Sequence, residues 1–169
     1  MLLASIFSIS LLKNLIFQYS YFGALLVGLI TSSTIFLPLP GTAVISLMAG
    51  MEGLNPILLG IFAGWGSAVG ELTGYLMGRG IPVKDIKKLK GWRKKFFELL
   101  FKYFNKYGFL TIVIFAFQFI IPFDLAGIFA GLSKMKISHF FLATLIGKIL
   151  KFCFFAYFGL ALFNLIPWI

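Results

Sequence analysis

The feature that most constrains this chain is an apolar run from Leu54 to Gly78 that contains a single ionisable residue, Glu71. A run of this length predicts a membrane-spanning helix, because about 20 mainly apolar residues cross the hydrocarbon core of a bilayer. Glycines at every fourth position predict a smooth stripe where another helix can approach closely: Gly66, Gly70, Gly74 and Gly78. Glu71 lies beside this stripe among small and polar residues, so we expect it to face protein or water rather than lipid.

The composition is that of an integral membrane protein. Of the 169 residues, 60% are hydrophobic and 12% are charged, with a mean hydropathy of +1.02, which excludes an ordinary soluble domain. We expect one polytopic membrane domain over residues 1–169. Ten of the 15 lysines and arginines lie between Arg79 and Lys106, and beside membrane spans this density indicates a cytoplasmic loop rather than a nucleic-acid site.

The apolar segments predict an all-α fold. Residues 15–30 are expected to span the membrane, with Lys13 keeping the N-terminus in the cytoplasm; residues 1–12 either extend this span or lie along the interface. The following run is broken at Pro38, Pro40 and Gly41, which favours a re-entrant dip that returns to the same side. The run from Leu54 to Gly78 then crosses back to the cytoplasm.

The basic loop over residues 79–107 is predicted to form an amphipathic interfacial helix, interrupted at Gly91. Its lysines follow helical spacings and are expected to contact anionic headgroups: Lys84, Lys88, Lys95, Lys102 and Lys106. Simple anchoring of the topology and specific recognition of a headgroup both fit this pattern.

The second half of the chain repeats the first in outline. The apolar stretch of residues 109–131 is broken at Pro122, and Lys134 and Lys136 follow it, so both ends of this second dip are expected in the cytoplasm. Residues 140–166 form the last predicted span, which leaves the C-terminus outside. Two such units of opposite orientation would form an inverted repeat whose two re-entrant tips face each other near the midplane.

Four ionisable residues are expected at depth: Glu71, Asp124, Lys148 and Lys151. Glu71 and Lys148 each lie about 12 Å from the cytoplasmic end of their helices, at ~1.5 Å per residue. Because lone charges are costly in lipid, we predict an ion pair between Glu71 and Lys148, with Asp124 facing Lys151. The alternative is that both lysines extend to the interface.

The sequence carries no pattern that predicts catalysis. It has no metal-ligand spacing, no phosphate-binding glycine loop and no Ser/His/Asp set, so we expect neither an enzyme nor a cofactor. The single cysteine, Cys153, excludes an internal disulfide.

The motifs together resemble the DedA or VTT-domain membrane proteins, also called SNARE-associated Golgi proteins. Residues 70–79 (GELTGYLMGR) look like the family's acid-x-x-x-Tyr-x-x-Gly-Arg signature, and LPLPG at 37–41 and IPFD at 121–124 are similar to its two re-entrant motifs. GKILKF at 147–152 looks like the Gly-Arg-x-x-Arg-Phe ending of the short branch, with lysine for arginine. The resemblance covers about residues 33–159.

Two positions depart from the family pattern. Thr42 stands where many members have an acid, and Gln118 and Phe119 lie where an arginine usually precedes the second proline. These departures weigh against proton-coupled transport and leave the fold assignment untouched.

The resemblance implies lipid handling: phospholipid scrambling in eukaryotic relatives and translocation of polyprenyl-phosphate carriers in bacterial ones. We therefore expect a lipid transporter or scramblase for an anionic or polyprenyl-phosphate lipid, located in the cell membrane of a prokaryote. The glycine stripes would allow a homodimer. Its headgroup path is predicted to include Glu71, Asp124, Lys148, Lys151, Arg79, Gln118 and Thr42. The alternatives are an ion- or proton-coupled transporter of a small solute, in which Glu71 and Asp124 titrate, and a membrane scaffold that transports nothing.

Overall fold

A computed structural model describes residues 19–33, 41–51, 53–81, 91–118 and 123–165. These residues form seven helices, numbered here in chain order: α1 Tyr19–Ser33, α2 Gly41–Ala49, α3 Pro56–Gly70, α4 Leu72–Gly80, α5 Trp92–Phe117, α6 Phe123–Leu132 and α7 Ile137–Leu165. The predicted all-α fold is confirmed over this part of the chain.

Two helical runs are long and apolar enough to cross a bilayer. One is the 25-residue run Pro56–Gly80, which joins α3 and α4, and the other is the 29-residue α7. The first run begins where the Asn55 side chain accepts hydrogen bonds from the backbone N–H groups of Ile57 and Leu58, with proline at the first helical position. Both runs agree with the spans predicted from the sequence.

The helix α1 runs in the same direction as α3. Its Tyr21 hydroxyl accepts a hydrogen bond from the Asn55 N–H (2.9 Å), and near its other end the hydroxyls of Ser32 and Ser67 are 2.5 Å apart. Of the predicted span over residues 15–30, only residues 19–30 are described, within α1, so this span stays a prediction. The described helix lies along the first half of Pro56–Gly80, with a close backbone approach to α3 at Gly28.

The helix α2 runs back along the second half of α7. Ser46 Oγ donates to the Phe155 carbonyl (2.8 Å), and Gly41, at the start of α2, lies against Thr31 of α1. We call α1 and α2 the first hairpin; its break falls between Ser33 and Gly41, and its open end lies near Asn55. The predicted tip residues Pro38 and Pro40 lie outside the described residues.

The helices α5 and α6 form a second hairpin that opens toward the opposite end of the molecule, where Arg79 lies. The second half of α5 packs against Gly147 of α7, and α6 packs against Gly78 of α4. Its break falls between Gln118 and Phe123, so the predicted tip residue Pro122 lies outside the described residues.

The amphipathic helix and the first arm of the second hairpin are the two parts of α5. The sequence predicted two segments, and this division is confirmed, because the backbone of Tyr107 is not helical (φ −128°, ψ 19°) and separates the two parts. Gly91, with φ 68°, precedes the helix at the predicted interruption. Lys95, Lys102 and Lys106 are exposed on α5, whereas Lys84 and Lys88 lie outside the described ranges.

The predicted glycine stripe contacts two different partners. Gly66 and Gly70 face the backbone of α1, whereas Gly74 and Gly78 face that of α6. The helix α7 does the same, with Gly147 against α5 and Gly159 against α2. Each long run therefore contacts one hairpin with its first half and the other hairpin with its second half, and the stripe is not available as a dimer interface.

Candidate functional site

The centre of the molecule holds a buried ion pair. Glu71 stands at the junction of α3 and α4, and Lys148 lies near the middle of α7. Lys148 Nζ donates to Glu71 Oε1 at 2.5 Å. Both residues are buried, with Glu71 4% and Lys148 6% exposed. The predicted Glu71–Lys148 pair is confirmed. The two residues meet because they lie at equal depth on antiparallel helical runs that have the same rise per residue.

The second hairpin contributes an aromatic ring to this pair. Lys148 Nζ lies 4.9 Å from the centroid of the Phe123 ring, a distance at which the negative face of the ring attracts the ammonium group. Phe123 is the first residue of α6 and stacks near Phe140 of α7. Sequence analysis did not single out Phe123, although its place directly after Pro122 was a signal that it lies at the hairpin tip.

Two polar atoms beside the pair are buried without a hydrogen-bond partner in the described part of the chain. They are Glu71 Oε2 and Thr144 Oγ1. Thr144 precedes Lys148 by one helical turn, so both residues lie on the same face of α7. Since an unsatisfied buried polar atom costs about 1–3 kcal/mol, the site keeps hydrogen-bonding capacity that a water or a polar ligand can use.

Asp124 and Lys151 were predicted to face each other, but they form no ion pair with each other in the described part of the chain. Asp124, in the first turn of α6, is partly exposed and interacts electrostatically with Lys148. Lys151 Nζ donates instead to the backbone carbonyl of Gln118 (3.2 Å). This carbonyl follows the last turn of α5, where unpaired carbonyl groups and the helix dipole attract a cation.

The remaining predicted path residues lie at the hairpin breaks or away from the pair. Gln118 donates through Nε2 to the carbonyl of Phe115 (3.3 Å), at the end of α5. Thr42 is partly exposed in the first turn of α2. These two positions flank the breaks of the second and the first hairpin, respectively.

Arg79 is not part of this central cluster. It is exposed, lies about 12 Å along the helix from Glu71 at ~1.5 Å per residue, and donates to the Tyr75 hydroxyl (2.7 Å) and the Met135 carbonyl (3.2 Å). Tyr75, which is fully buried, donates to the same carbonyl (2.5 Å). The signature tyrosine and arginine therefore tie α4 to the turn between α6 and α7.

The hydrogen bond between Ser32 and Ser67 links the first hairpin to the same site. Ser67 is fully buried and precedes Glu71 by four residues, so it lies on the same side of the helix. The end of α1 is thus joined to α3 one turn before the ion pair.

The arrangement brings charge, hydroxyl groups and described residues of both hairpins to one place. Lys148 and Lys151 can bind an anionic group as point charges, while Glu71 keeps Lys148 compensated in the absence of a ligand. No three His, Cys, Asp or Glu side chains in the described ranges lie close enough together to hold a metal ion.

A family model described as the VTT domain matches residues 37–161, which is 125 of the 169 residues. The matched region includes the breaks of both hairpins and both members of the ion pair. Comparison with curated proteins and with solved structures gives no match.

Proposed function

Because this chain belongs to the VTT-domain family of membrane proteins, we propose that it carries lipid headgroups between the two leaflets of a membrane. The proposed substrates are lipids with an anionic or polyprenyl-phosphate headgroup, and the protein acts as a transporter or scramblase and not as an enzyme. The observation that carries this proposal is the buried pair of Glu71 and Lys148, to which the second hairpin contributes the Phe123 ring.

A buried ion pair is a poor device for stability alone. The cost of removing two charges from water offsets most of their attraction, so a well-packed apolar pair serves a fold as well or better. Within a membrane-spanning segment, ionisable residues typically mark a substrate or ion pathway. The spare hydrogen-bonding capacity of Glu71 Oε2 and Thr144 Oγ1 supports such a path here.

The geometry of the hairpins supports a re-entrant architecture. At ~1.5 Å per residue, the nine residues of α2 extend about 14 Å and the ten of α6 about 15 Å, half of a hydrocarbon core or less. The hairpins open toward opposite ends, and residues of both lie near the ion pair, Ser32 through its contact with Ser67 and Phe123 through its contact with Lys148. We propose that α1 to α4 and α5 to α7 form an inverted repeat in which each hairpin enters half of the membrane.

In this architecture the headgroup passes through the centre while the lipid tails stay in the bilayer. Lys148 and Lys151 attract a phosphate group, and Asp124 at the tip of the second hairpin compensates their charge when the path is empty. The basic end of the molecule, which carries Arg79, Lys95 and Lys102, faces the cytoplasm of a prokaryotic cell by the positive-inside rule, and the end of α7 faces outside.

The proposal is tested in liposomes that contain fluorescent lipids in both leaflets. Dithionite quenches only outer-leaflet fluorophores unless lipids cross, so the wild type should increase the quenched fraction for phosphorylated anionic lipids above the protein-free value. The variant Lys148→Met/Lys151→Met should return it to that value. The variant Lys94→Gln, which removes an exposed charge of α5 outside both the path and the predicted headgroup contacts, is the control and should behave as wild type.

The proposal is wrong if no phosphorylated lipid crosses faster with the wild type than without protein, the fluorescent polyprenyl phosphate included. A second candidate, a proton-coupled transporter of a small solute, is favoured by the interaction of Asp124 with both Glu71 and Lys148. A pH-sensitive dye inside the same liposomes separates the two. Proton entry that Asp124→Asn abolishes, without lipid movement, would support the second candidate.

A further inference from the structure

A second polar cavity lies at the basic end of the molecule, remote from the ion pair. It has a volume of about 570 Å³ and opens between the kink of α5 and the turn that joins α6 to α7. We call it the interfacial pocket; it is lined among others by Phe104, Lys106, Tyr107, Lys134, Lys136 and His139. Its size is within the range of pockets that bind small ligands.

The charge of the interfacial pocket favours an anion. Lys106, Lys134 and Lys136 line it, together with the imidazole of His139, and no carboxylate is among the lining residues that the structure describes. The pocket also borders the first turn of α7, a 29-residue helix whose N-terminal N–H groups carry positive partial charge. A ligand with two negative charges matches three ammonium groups better than a singly charged one.

The backbone at Lys134 is held in a conformation that suits glycine. Its φ is 57°, and the turn is a Schellman motif in which the N–H of Met135 donates to the Ala130 carbonyl (3.2 Å) and that of Lys134 to the Gly131 carbonyl (3.0 Å). Glycine is the usual residue at this position, since it avoids the steric strain of a Cβ. Lysine at this position is strained, but its side chain adds a positive charge to the pocket. Strained backbone positions concentrate at functional sites.

The turn that carries these lysines is fixed from within the protein. The Met135 carbonyl accepts hydrogen bonds from the Tyr75 hydroxyl and from Arg79. Both donors belong to α4, so the spanning run sets the position of the pocket wall. This gives Tyr75 and Arg79 a role in positioning the interfacial pocket rather than in the central path.

We propose that the interfacial pocket binds a phosphate monoester, the doubly charged headgroup of an amphiphile at the membrane surface. Phe104, Tyr107 and Phe109 line the same pocket and would contact the first carbons of the lipid tail. The lipid as the source of the phosphate rests on the proposed function, whereas the affinity for the phosphate group does not.

Binding is measured with the full chain in nanodiscs of phosphatidylcholine, by fluorescence anisotropy of a short-chain fluorescent phosphatidic acid. The wild type should bind this lipid at least tenfold more tightly than the matching phosphatidylcholine. Lys134→Gly is the decisive variant, because it removes a pocket charge and relieves the backbone strain together. It should weaken binding by roughly fivefold to tenfold while its unfolding temperature stays equal to or rises above that of the wild type.

The matched control is Lys94→Gln, which removes an exposed lysine from α5 that lies outside the pocket lining and outside the predicted headgroup contacts. It should bind the lipid as the wild type does, whereas Lys136→Gln should weaken binding as Lys134→Gly does. Equal losses for Lys94→Gln and Lys134→Gly would indicate a diffuse surface charge and overturn the proposal. Unchanged binding by the folded Lys134→Gly variant would also overturn it.

Competition with inorganic phosphate identifies the source of the ligand. A lipid headgroup is the source if millimolar phosphate fails to displace the fluorescent phosphatidic acid, and free phosphate is the source if it displaces the lipid completely at micromolar concentration. Because binding is measured without transport, Lys134→Gly can lose binding in a protein that moves no lipid. That combination would refute the proposed function and leave the pocket in place.

Discussion

At the scale of single residues, the molecule depends on how Glu71 is compensated. Its carboxylate has one ion-pair partner, Lys148, and that lysine in turn has the Phe123 ring beside it. Removal of one member of such a pair leaves an uncompensated buried charge, which costs more than the pair contributes. The two residues should therefore behave as a unit in mutagenesis.

We expect the single variants Glu71→Gln and Lys148→Met each to lower the free energy of unfolding by about 3–5 kcal/mol. The double variant should lose less than the sum of the two, by about 1–3 kcal/mol, because it buries no net charge. Reversible unfolding in mixed micelles measures all four corners of the cycle. Strictly additive losses would show that the two side chains do not interact directly.

The sequence was sufficient to predict the ion pair of Glu71 and Lys148, but it was not sufficient to predict the partners of Asp124 and Lys151. Lys148 lies inside a regular helix, and Glu71, at the junction of α3 and α4, keeps a helical backbone (φ −68°, ψ −13°), so the rise per residue converts a residue count into a depth for both. Asp124 follows the break of the second hairpin, where that count no longer applies, so its predicted position opposite Lys151 was wrong. The carbonyl of Gln118, which binds Lys151 instead, belongs to the backbone and leaves no mark in the sequence.

At the scale of helices, close backbone contacts fix how the hairpins lie on the long runs. The stripe from Gly66 to Gly78 divides near Glu71, with α1 on one side of that point and α6 on the other. A Cβ at Gly78 would fall within 3 Å of the Ile128 backbone, whereas one at Gly74 would meet its nearest atom, the Asp124 carbonyl oxygen, at 3.6 Å. The two glycines therefore differ in what they tolerate, although both face α6.

We expect Gly78→Ala to lower the free energy of unfolding by about 1–3 kcal/mol, because α6 must move away from α4. Gly74→Ala, one turn away and toward the same partner, should be neutral or slightly stabilising, since alanine favours helix over glycine. Thermal unfolding of the two variants side by side is the measurement. Equal destabilisation by both substitutions would contradict the close packing of α4 on α6.

The glycine spacing predicted close packing correctly but could not assign the partners. Glycine at every fourth position indicates a smooth helix face. The same spacing is expected whether one neighbouring helix or two pack against that face. The division of α5 at Tyr107 was predicted correctly, because the basic amphipathic pattern ends there and an apolar run begins at Phe109. Gly108, next to the kink, lies against Met135 of the turn between α6 and α7.

At the scale of the whole molecule, the two hairpins and the two long runs form a single arrangement around the ion pair. The correspondence of the broken motifs in the two halves predicted this organisation, because proline and glycine interrupt helices wherever they occur. The predicted span over residues 15–30 stays a prediction, because the residues before Tyr19 lie outside the described ranges. The described part of this segment, α1, packs along α3.

The central claim is that the ion pair lines a headgroup path and does not merely hold the helices together. The most direct test is lipid transport by the double variant Glu71→Gln/Lys148→Met, compared with the wild type at equal protein content in the same liposomes. We predict a protein that stays folded, with dithionite quenching reduced to the protein-free value. Wild-type transport by the folded double variant would contradict the claim and assign the pair to structure alone.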